Sequence, residues 1–349
     1  MPILSSFGGG SARGFGQGLL PSSFQPYAFT SFTFTTASTR GVYGPSLSTL
    51  QSSYSSDAWT QNTNNFNVIT NGVQRWTVPE TATYTFVARG AEGNTPSSGT
   101  YTASPGGLGA TVTFSVNLTE GDYINIVVGQ QPISHVSSMA GGGGGTFIYT
   151  STNTLIAAVG GGGGGGRTGF EATWNYNLRR GKSAFDTLLG NDGYHNNEVS
   201  PISRGGGTVL GAGNGGYMGD GNNRGGGGAG WLSGGQRASI TTDTTKFNYL
   251  RGRTRTDSIP WQGGLDYDGL AVSTSNQRCS GGFGGGGAAG AHPYKGYGGG
   301  GGGYSGGGGG SWNGGGGPAG GGSTYVPGGF TASTAGANSG GGSVQVTKI

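Results

Sequence analysis

The sequence predicts an all-β protein in which a sheet-forming region carries an ordered glycine region, and three observations lead there. Segments of aromatic and β-branched residues alternate with Thr and Ser at period two and are bounded by turn residues, the mark of half-buried strands. Glycine supplies 85 of 349 residues, gathered in runs at Gly141–Gly145, Gly160–Gly166, Gly205–Gly207, Gly225–Gly228, Gly284–Gly287, Gly298–Gly303, Gly306–Gly310 and Gly314–Gly317. After the last run, Ser343–Ile349 alternates again, so the chain is expected to return to its starting sheet.

In chain order, residues 1–27 are aromatic, glycine-rich and aperiodic. By composition they are disordered when free. The functional reading is an attachment segment that orders against a partner, with Phe7, Arg13 and Phe15 as anchors. Residues 28–159 form the expected β domain. Phe32-Thr33-Phe34-Thr35 reads as a strand, Gly41–Pro45 as a turn, and Pro45 as the first position of a short helix with Leu47, Leu50 and Tyr54 on one face. Strands follow at Phe66–Thr70, Val73–Val78, Tyr84–Arg89, Thr111–Leu118 and Tyr123–Val128, the last two joined as a hairpin by Thr119-Glu120-Gly121-Asp122. Thr146–Thr150 and Leu155–Val159 complete the set, and Trp76 is a core residue by its place in an alternating strand.

Residues 160–342 are the expected glycine-rich region, and residues 343–349 the returning strand. Glycine runs have two readings. One is a flexible linker, because glycine loses most backbone entropy on folding. The other is a set of polyglycine-II-type helices, with three residues per turn and every N–H and C=O directed sideways at a neighbour. Absence of a G-X-Y period excludes collagen. A linker needs one run between two domains, whereas here many runs alternate with segments as apolar as Leu155-Ile156-Ala157-Ala158-Val159, which favours the ordered lattice. Gly160–Gly166 would then span about 22 Å at ~3.1 Å per residue.

Two loop-like stretches dilute the glycine, Glu171–Ser203 and Gln236–Gln262; Ala184–Leu189 within the first reads as a turn of helix. The candidate binding residues lie in and beside them: Trp174, Tyr176, Arg179, Arg180, Tyr194, Tyr249, Arg251, Arg253, Arg255, Trp261, Tyr294 and Tyr297. For the aromatics, contact with a receptor and packing as a lid over the glycine lattice are both open. For Arg251, Arg253 and Arg255, alternation puts three guanidinium groups on one strand face, either towards an acidic glycan or as a solvated edge that resists aggregation.

Composition excludes several classes. Net charge is +4 with a pI near 9.1, and basic residues are scattered, so the chain is not read as a nucleic-acid binder. One cysteine, Cys279, leaves no intramolecular disulfide framework. Met1–Gly10 shows no signal-peptide pattern, and no apolar run reaches membrane-spanning length. Arg179-Arg180-Gly181-Lys182-Ser183 ends like a phosphate-binding loop, but Tyr176 stands where its opening glycine belongs. Asp192, His195 and Glu198 read as a solvated polar loop rather than a metal cluster, and Asp266-Tyr267-Asp268-Gly269 as a turn rather than a calcium loop. No triad or carboxylate pair stands out, so the expectation is a protein without enzymatic activity, cofactor or metal.

One series of motifs points further. Phe32-Thr33-Phe34, Gly44-Pro45-Ser46, Gly72-Val73-Gln74-Arg75-Trp76-Thr77-Val78-Pro79, Thr83-Tyr84-Thr85 and Gly90-Ala91-Glu92-Gly93 occur in that order. Leu118–Gln131, Gly141–Ile148, Leu155–Ala158 and the glycine block follow. Over residues 28–349 this resembles the glycine-rich module of anaplastic lymphoma kinase and leukocyte tyrosine kinase, a module that also occurs in bacteriophage virion proteins. The resemblance implies a β-sandwich of the tumour necrosis factor or jelly-roll type joined to a bundle of polyglycine-II-type helices. The receptor module's cysteines have no counterpart at Thr35-Thr36-Ala37-Ser38, and no kinase part is present, so a receptor role is the least favoured. What it implies instead is a virion structural protein, assembled in the host cytoplasm and present in several copies. A tail fibre or tip adhesin would attach through its N-terminal segment to fibre, baseplate or capsid proteins and present loops to a host surface glycan or outer-membrane protein. The alternative is a non-adhesive capsid decoration, head fibre or baseplate protein.

Overall fold

Alternation in the first half of the chain resolves into two antiparallel five-stranded sheets packed face to face. The computed structural model describes residues 26–96, 104–133, 140–166, 181–185, 188–190, 193–194, 201–203, 211–219, 225–236, 248–265, 280–290, 297–310 and 318–349. The strands are β1 Ser31–Phe34, β2 Phe66–Thr70, β3 Val73–Thr77, β4 Ala82–Arg89, β5 Gly109–Leu118, β6 Tyr123–Val127, β7 Thr146–Thr150, β8 Leu155–Val159, β9 Gly193–Tyr194, β10 Pro201–Ser203, β11 Ala332–Asn338 and β12 Ser343–Lys348. One sheet has the order β1-β12-β4-β5-β11 and the other β2-β3-β6-β7-β8, while β9 and β10 pair separately. Inward residues of both sheets, among them Phe34, Phe66, Trp76, Phe86, Ile124 and Val346, form one core. The protein is therefore an all-β sandwich.

The returning strand is central rather than peripheral. β12 lies between β1 and β4, with Val346 opposite Phe32 on one side and Phe86 on the other. The chain after β8 is thus an excursion that returns to the first sheet. It ends earlier than residue 342, because β11 pairs antiparallel with β5.

Four local expectations are corrected. Thr119–Asp122 is a turn, with the Asp122 amide donating to Thr119 O at 3.1 Å, but β5 and β6 belong to different sheets. The turn crosses the sandwich instead of closing a hairpin, and the Val78 and Gly121 backbone bonds pin it to the end of β3. The helix α1, Leu47–Ser53, is capped by Ser46, whose side chain accepts from the Thr49 amide, so Pro45 precedes the cap instead of opening the helix. Tyr27 belongs to the sandwich and not to the leading segment. Its hydroxyl accepts from Trp76 Nε1 at 2.7 Å and donates to Thr77 O at 2.8 Å, and its ring stacks on Trp59. The described residues of Ala184–Leu189 are not helical: Phe185 bridges Ser323, its amide donating to Gly322 O, and Leu188 and Leu189 form a bend.

The described glycine runs are buried, and their backbone bonds repeat every three residues. Amides of Gly161 and Gly164 donate to Gly302 and Gly299, and those of Gly162 and Gly165 to Ala91 and Asn94. Carbonyls of Gly160, Gly163 and Gly166 accept from Ala110, Gly107 and Ser104, and those of Gly161 and Gly164 from Gly322 and Ala319. Gly298–Tyr304 behaves alike: residues 299 and 302 donate to Ala140 and Gly143, 300 and 303 to Gly226 and Ala229, 301 and 304 to Gly320 and Ser323. Such contact requires that no side chain intervene, and a Cβ on Gly162 would lie 1.8 Å from Gly107 O. These runs are packed backbone, which removes the linker reading for them.

Polarity follows from connectivity. Gly90, Gly145 and Gly160 continue directly from β4, into β7 and from β8, so one end of the lattice abuts the sandwich. The ladder from Ala110 through Gly107 to Ser104 leads away from it. At that far end Gly298 accepts from Gly310, Gly310 from Gly225 and Gly225 from Gly219, while Asn94 donates to Gly141 and Gly290 to Tyr297.

Candidate functional site

A cluster of arginines and aromatics sits where the segment 248–265, helical at residues 248–250 and a loop beyond them, lies over the second sheet. Burial alternates along the loop as the sequence suggests. Gly252 and Thr254 are buried while Arg251, Arg253 and Arg255 are half-buried, although no strand forms. The loop is held by its backbone, with Gly252 donating to Gly227 O and Arg253 to Gln262 O. Thr254 adds a side-chain bond to Gly230 O at 2.8 Å.

Each arginine engages this surface differently. Arg251 pairs with Asp257 through two bonds, Nη2 to Oδ1 at 2.6 Å and Nη1 to Oδ2 at 3.3 Å, and Asp257 Oδ2 also accepts the Thr254 amide. Arg253 donates to Ser258 Oγ at 3.1 Å. Arg255 lies 4.8 Å from the centre of the Trp231 ring, a cation–π contact. Below them Trp261 is fully buried. It stacks at 4.0 Å on Phe147 of β7, and Trp231 packs on the same pair.

Trp231 also meets Tyr149 edge-on at 5.5 Å. Burial pushes the Tyr149 phenol above its ordinary range, opposed in part by the charges of Arg255 and Arg75. Arg75 stands over the exposed Tyr123 ring at 5.2 Å, with Nε bonded to Asn125 Oδ1 at 3.3 Å. The result is a cationic strip, Arg75 with Arg255, over aromatic rings. It can accept an anionic or aromatic group; Arg251 and Arg253 already hold internal partners.

Of the residues singled out from sequence, Tyr249, Arg251, Arg253, Arg255 and Trp261 share this loop. Trp261 and Tyr297, fully and almost fully buried, take the packing role rather than the contact role. Tyr194 is in β9. Phe7, Arg13, Phe15, Trp174, Tyr176, Arg179, Arg180 and Tyr294 lie outside the described residues, as do Asp192, His195, Glu198 and Asp266–Gly269. Sequence reasoning missed Arg75, Tyr123 and Trp231. The first two occupy outward positions of alternating strands, a signal that was legible; Trp231 stands alone between two glycine segments, with nothing local to mark it. Among the described residues no group of three or more His, Cys, Asp or Glu is placed to hold a metal, and no helix is long and apolar enough to cross a membrane. No family model matches the chain, and no curated protein sequence matches it.

Proposed function

We propose that this protein is a bacteriophage virion component of the tail-fibre or tip-adhesin type. In this reading the module is of the anaplastic lymphoma kinase and leukocyte tyrosine kinase kind, with polyglycine-II-type helices as a rigid spacer. The three-residue repeat of backbone partners supports such helices. One observation carries the functional part. The described residues flanking segments 97–103, 134–139, 167–180, 220–224, 291–296 and 311–317 gather at the end of the lattice away from the sandwich. Those segments include Trp174, Tyr176, Arg179, Arg180 and Tyr294. A scaffold that brings many chain crossings to one remote end suits the display of recognition loops, since binding residues sit on loops positioned by a rigid frame. At the other end, residues 1–25 would join the fibre, baseplate or capsid.

The test is made on intact particles. Exchange of segment 167–180 for that of a related protein should change host range, and deletion of residues 1–25 should abolish incorporation while the isolated protein stays folded. Unchanged host range together with normal assembly of the truncated chain would refute the adhesin reading. A non-adhesive virion role is the second reading. It is favoured by the internal engagement of Arg251 with Asp257 and Arg253 with Ser258, which leaves fewer free cations for a host glycan. Unchanged host range with loss of assembly would select it.

A further inference from the structure

Four strands form the edges of the two sheets, and three of them are blunted. Ala158 of β8 exchanges both backbone bonds with Tyr325, while β2 and β11 shift register between Val68 and Thr70 and between Thr334 and Asn338. Covering chain and broken register are ways in which sheets guard their edges. β1 keeps an unbroken register to β12 from Ser31 to Phe34 and carries neither charge nor proline. Shortness is the one protective device it has.

Parity decides which backbone groups β1 leaves open. The Lys348 amide donates to Thr30 O on one side of β12, and the Ile349 amide to Thr83 O on the other. Even-numbered residues of β12 therefore serve β1, and odd-numbered ones serve β4. By that register Phe32 and Phe34 make the bonds to β12, and Ser31, Thr33 and Thr35 turn their N–H and C=O outward. Side chains serve Thr35: its amide donates to the Tyr54 hydroxyl at 2.7 Å, and its carbonyl accepts from Gln74 Nε2 at 2.9 Å. Among the described residues nothing bonds the backbone N–H and C=O of Ser31 and Thr33, and both residues are exposed. These open groups line a groove of about 420 Å³, whose other wall is Ser53 at the end of α1, Tyr54 and Asp57. Asp57 is half-buried; its Oδ2 accepts the Ser56 hydroxyl at 2.8 Å, and among the described residues it meets no cation.

We propose that the open edge of β1 docks an extended segment of a second polypeptide, which adds to the first sheet as a sixth strand on Ser31 and Thr33 and sets a lysine or arginine against Asp57. Each open residue presents one donor and one acceptor, and the two pairs lie about 6.6 Å apart along the strand. An extended backbone repeats its own donor and acceptor at that interval, which a compact ligand does not. Main-chain bonds supply the affinity, and the Asp57 carboxylate selects among segments by charge. The inference rests on this edge alone and holds whatever larger structure the protein joins.

The experiment is fluorescence anisotropy on the full chain with labelled seven-residue peptides in which valine and threonine alternate around a central lysine, arginine or glutamate. Saturable binding of the lysine or arginine peptides is expected, weaker for glutamate. N-methylation of alternate peptide residues should weaken binding about tenfold in the register that faces β1 and leave it unchanged in the other. Thr33→Pro removes one outward N–H and spares the bonds to β12, so it should cost a similar factor. If that variant fails to fold, Asp57→Lys carries the test by reversing the preference towards the glutamate peptide. Hydrogen exchange should show the Ser31 and Thr33 amides protected only when peptide is bound, and those of Phe32 and Phe34 protected throughout. No binding by any of the peptides, equal loss in both N-methylated registers, or binding indifferent to a folded Thr33→Pro and to Asp57→Lys would each overturn the proposal. So would light scattering that shows the full chain to be a dimer dispersed by Thr33→Pro, since a second copy would then fill the edge.

Discussion

Phe283 places the tip of its ring where a side chain on Gly72 would begin: a Cβ there would lie 2.3 Å from Phe283 Cζ. Gly72 ends the Asn71-Gly72 turn between β2 and β3 with φ +85°, and Gly44 closes the other side of the same ring. Phe283, which leads into the run Gly284–Gly287, is in this way plugged into the sandwich.

Gly72→Ala should therefore cost about 3 kcal/mol, combining left-handed backbone strain with a steric clash. Gly340→Ala, also at φ +85° but with nothing within 4 Å of its Cβ, should cost only about 1 kcal/mol. Denaturant titration of both variants measures the difference. Equal losses would mean that strain alone acts and that the Phe283 contact is idle.

Alkaline pH should unfold the protein through its buried phenols. Burial raises the Tyr27, Tyr54 and Tyr149 hydroxyls above the ordinary 10.0. The folded state therefore holds protons that the unfolded state has released above that pH, so stability is unaffected below about pH 10 and falls as pH rises beyond it. Titration of tyrosinate absorbance should show a fraction that ionises only as the tertiary signal is lost. Ionisation of all phenols before unfolding would contradict the packing of Tyr27 against Trp76 and of Tyr149 against Trp231.

Asp257 organises the arginine loop, since one carboxylate takes both Arg251 bonds and the Thr254 amide. With the pair only partly exposed, Asp257→Ala should cost about 1–3 kcal/mol and disturb Trp231 and Trp261 emission. Arg255→Ala removes a cation–π contact and should cost no more than about 1 kcal/mol.

The pattern of what the sequence disclosed follows from range. Strands such as β3 and β12 carry their own period-two signal, so their existence was readable from the residues themselves. Which sheet a strand joins is decided by partners far along the chain, and so Thr119–Asp122 read as a hairpin although β5 and β6 separate. β11, Ala-Ser-Thr-Ala-Gly-Ala-Asn, carries almost no β-branched or aromatic residue and pairs only because β5 offers an open edge. For Trp261 contact and packing both stayed open in the sequence, because the ring that covers it, Phe147, belongs to a distant strand. Glycine composition alone left spacer and lattice equally open. What tipped the balance was the apolar character of Leu155–Val159 between runs, and β8 does run straight into Gly160.

That lattice yields the sharpest prediction. Neighbouring backbones approach so closely that a Cβ on Gly162 or Gly301 would sit 1.8 or 2.1 Å from a carbonyl oxygen of another segment. Those segments are themselves hydrogen-bonded on other sides, so none can shift without breaking further bonds. Either substitution to alanine should cost more than about 4 kcal/mol or prevent folding, whereas Gly328→Ala, with nothing within 4 Å, should change stability by less than about 0.5 kcal/mol. Hydrogen exchange on the unaltered protein gives the same answer without mutation. Amides of Gly161–Gly165 and Gly299–Gly303 all donate to carbonyls in other segments, so they should exchange as slowly as those of β4 and β12, through global unfolding. Rapid exchange across those runs, with β4 and β12 protected, would mean that the glycine region opens independently and that the sandwich alone is the stable unit.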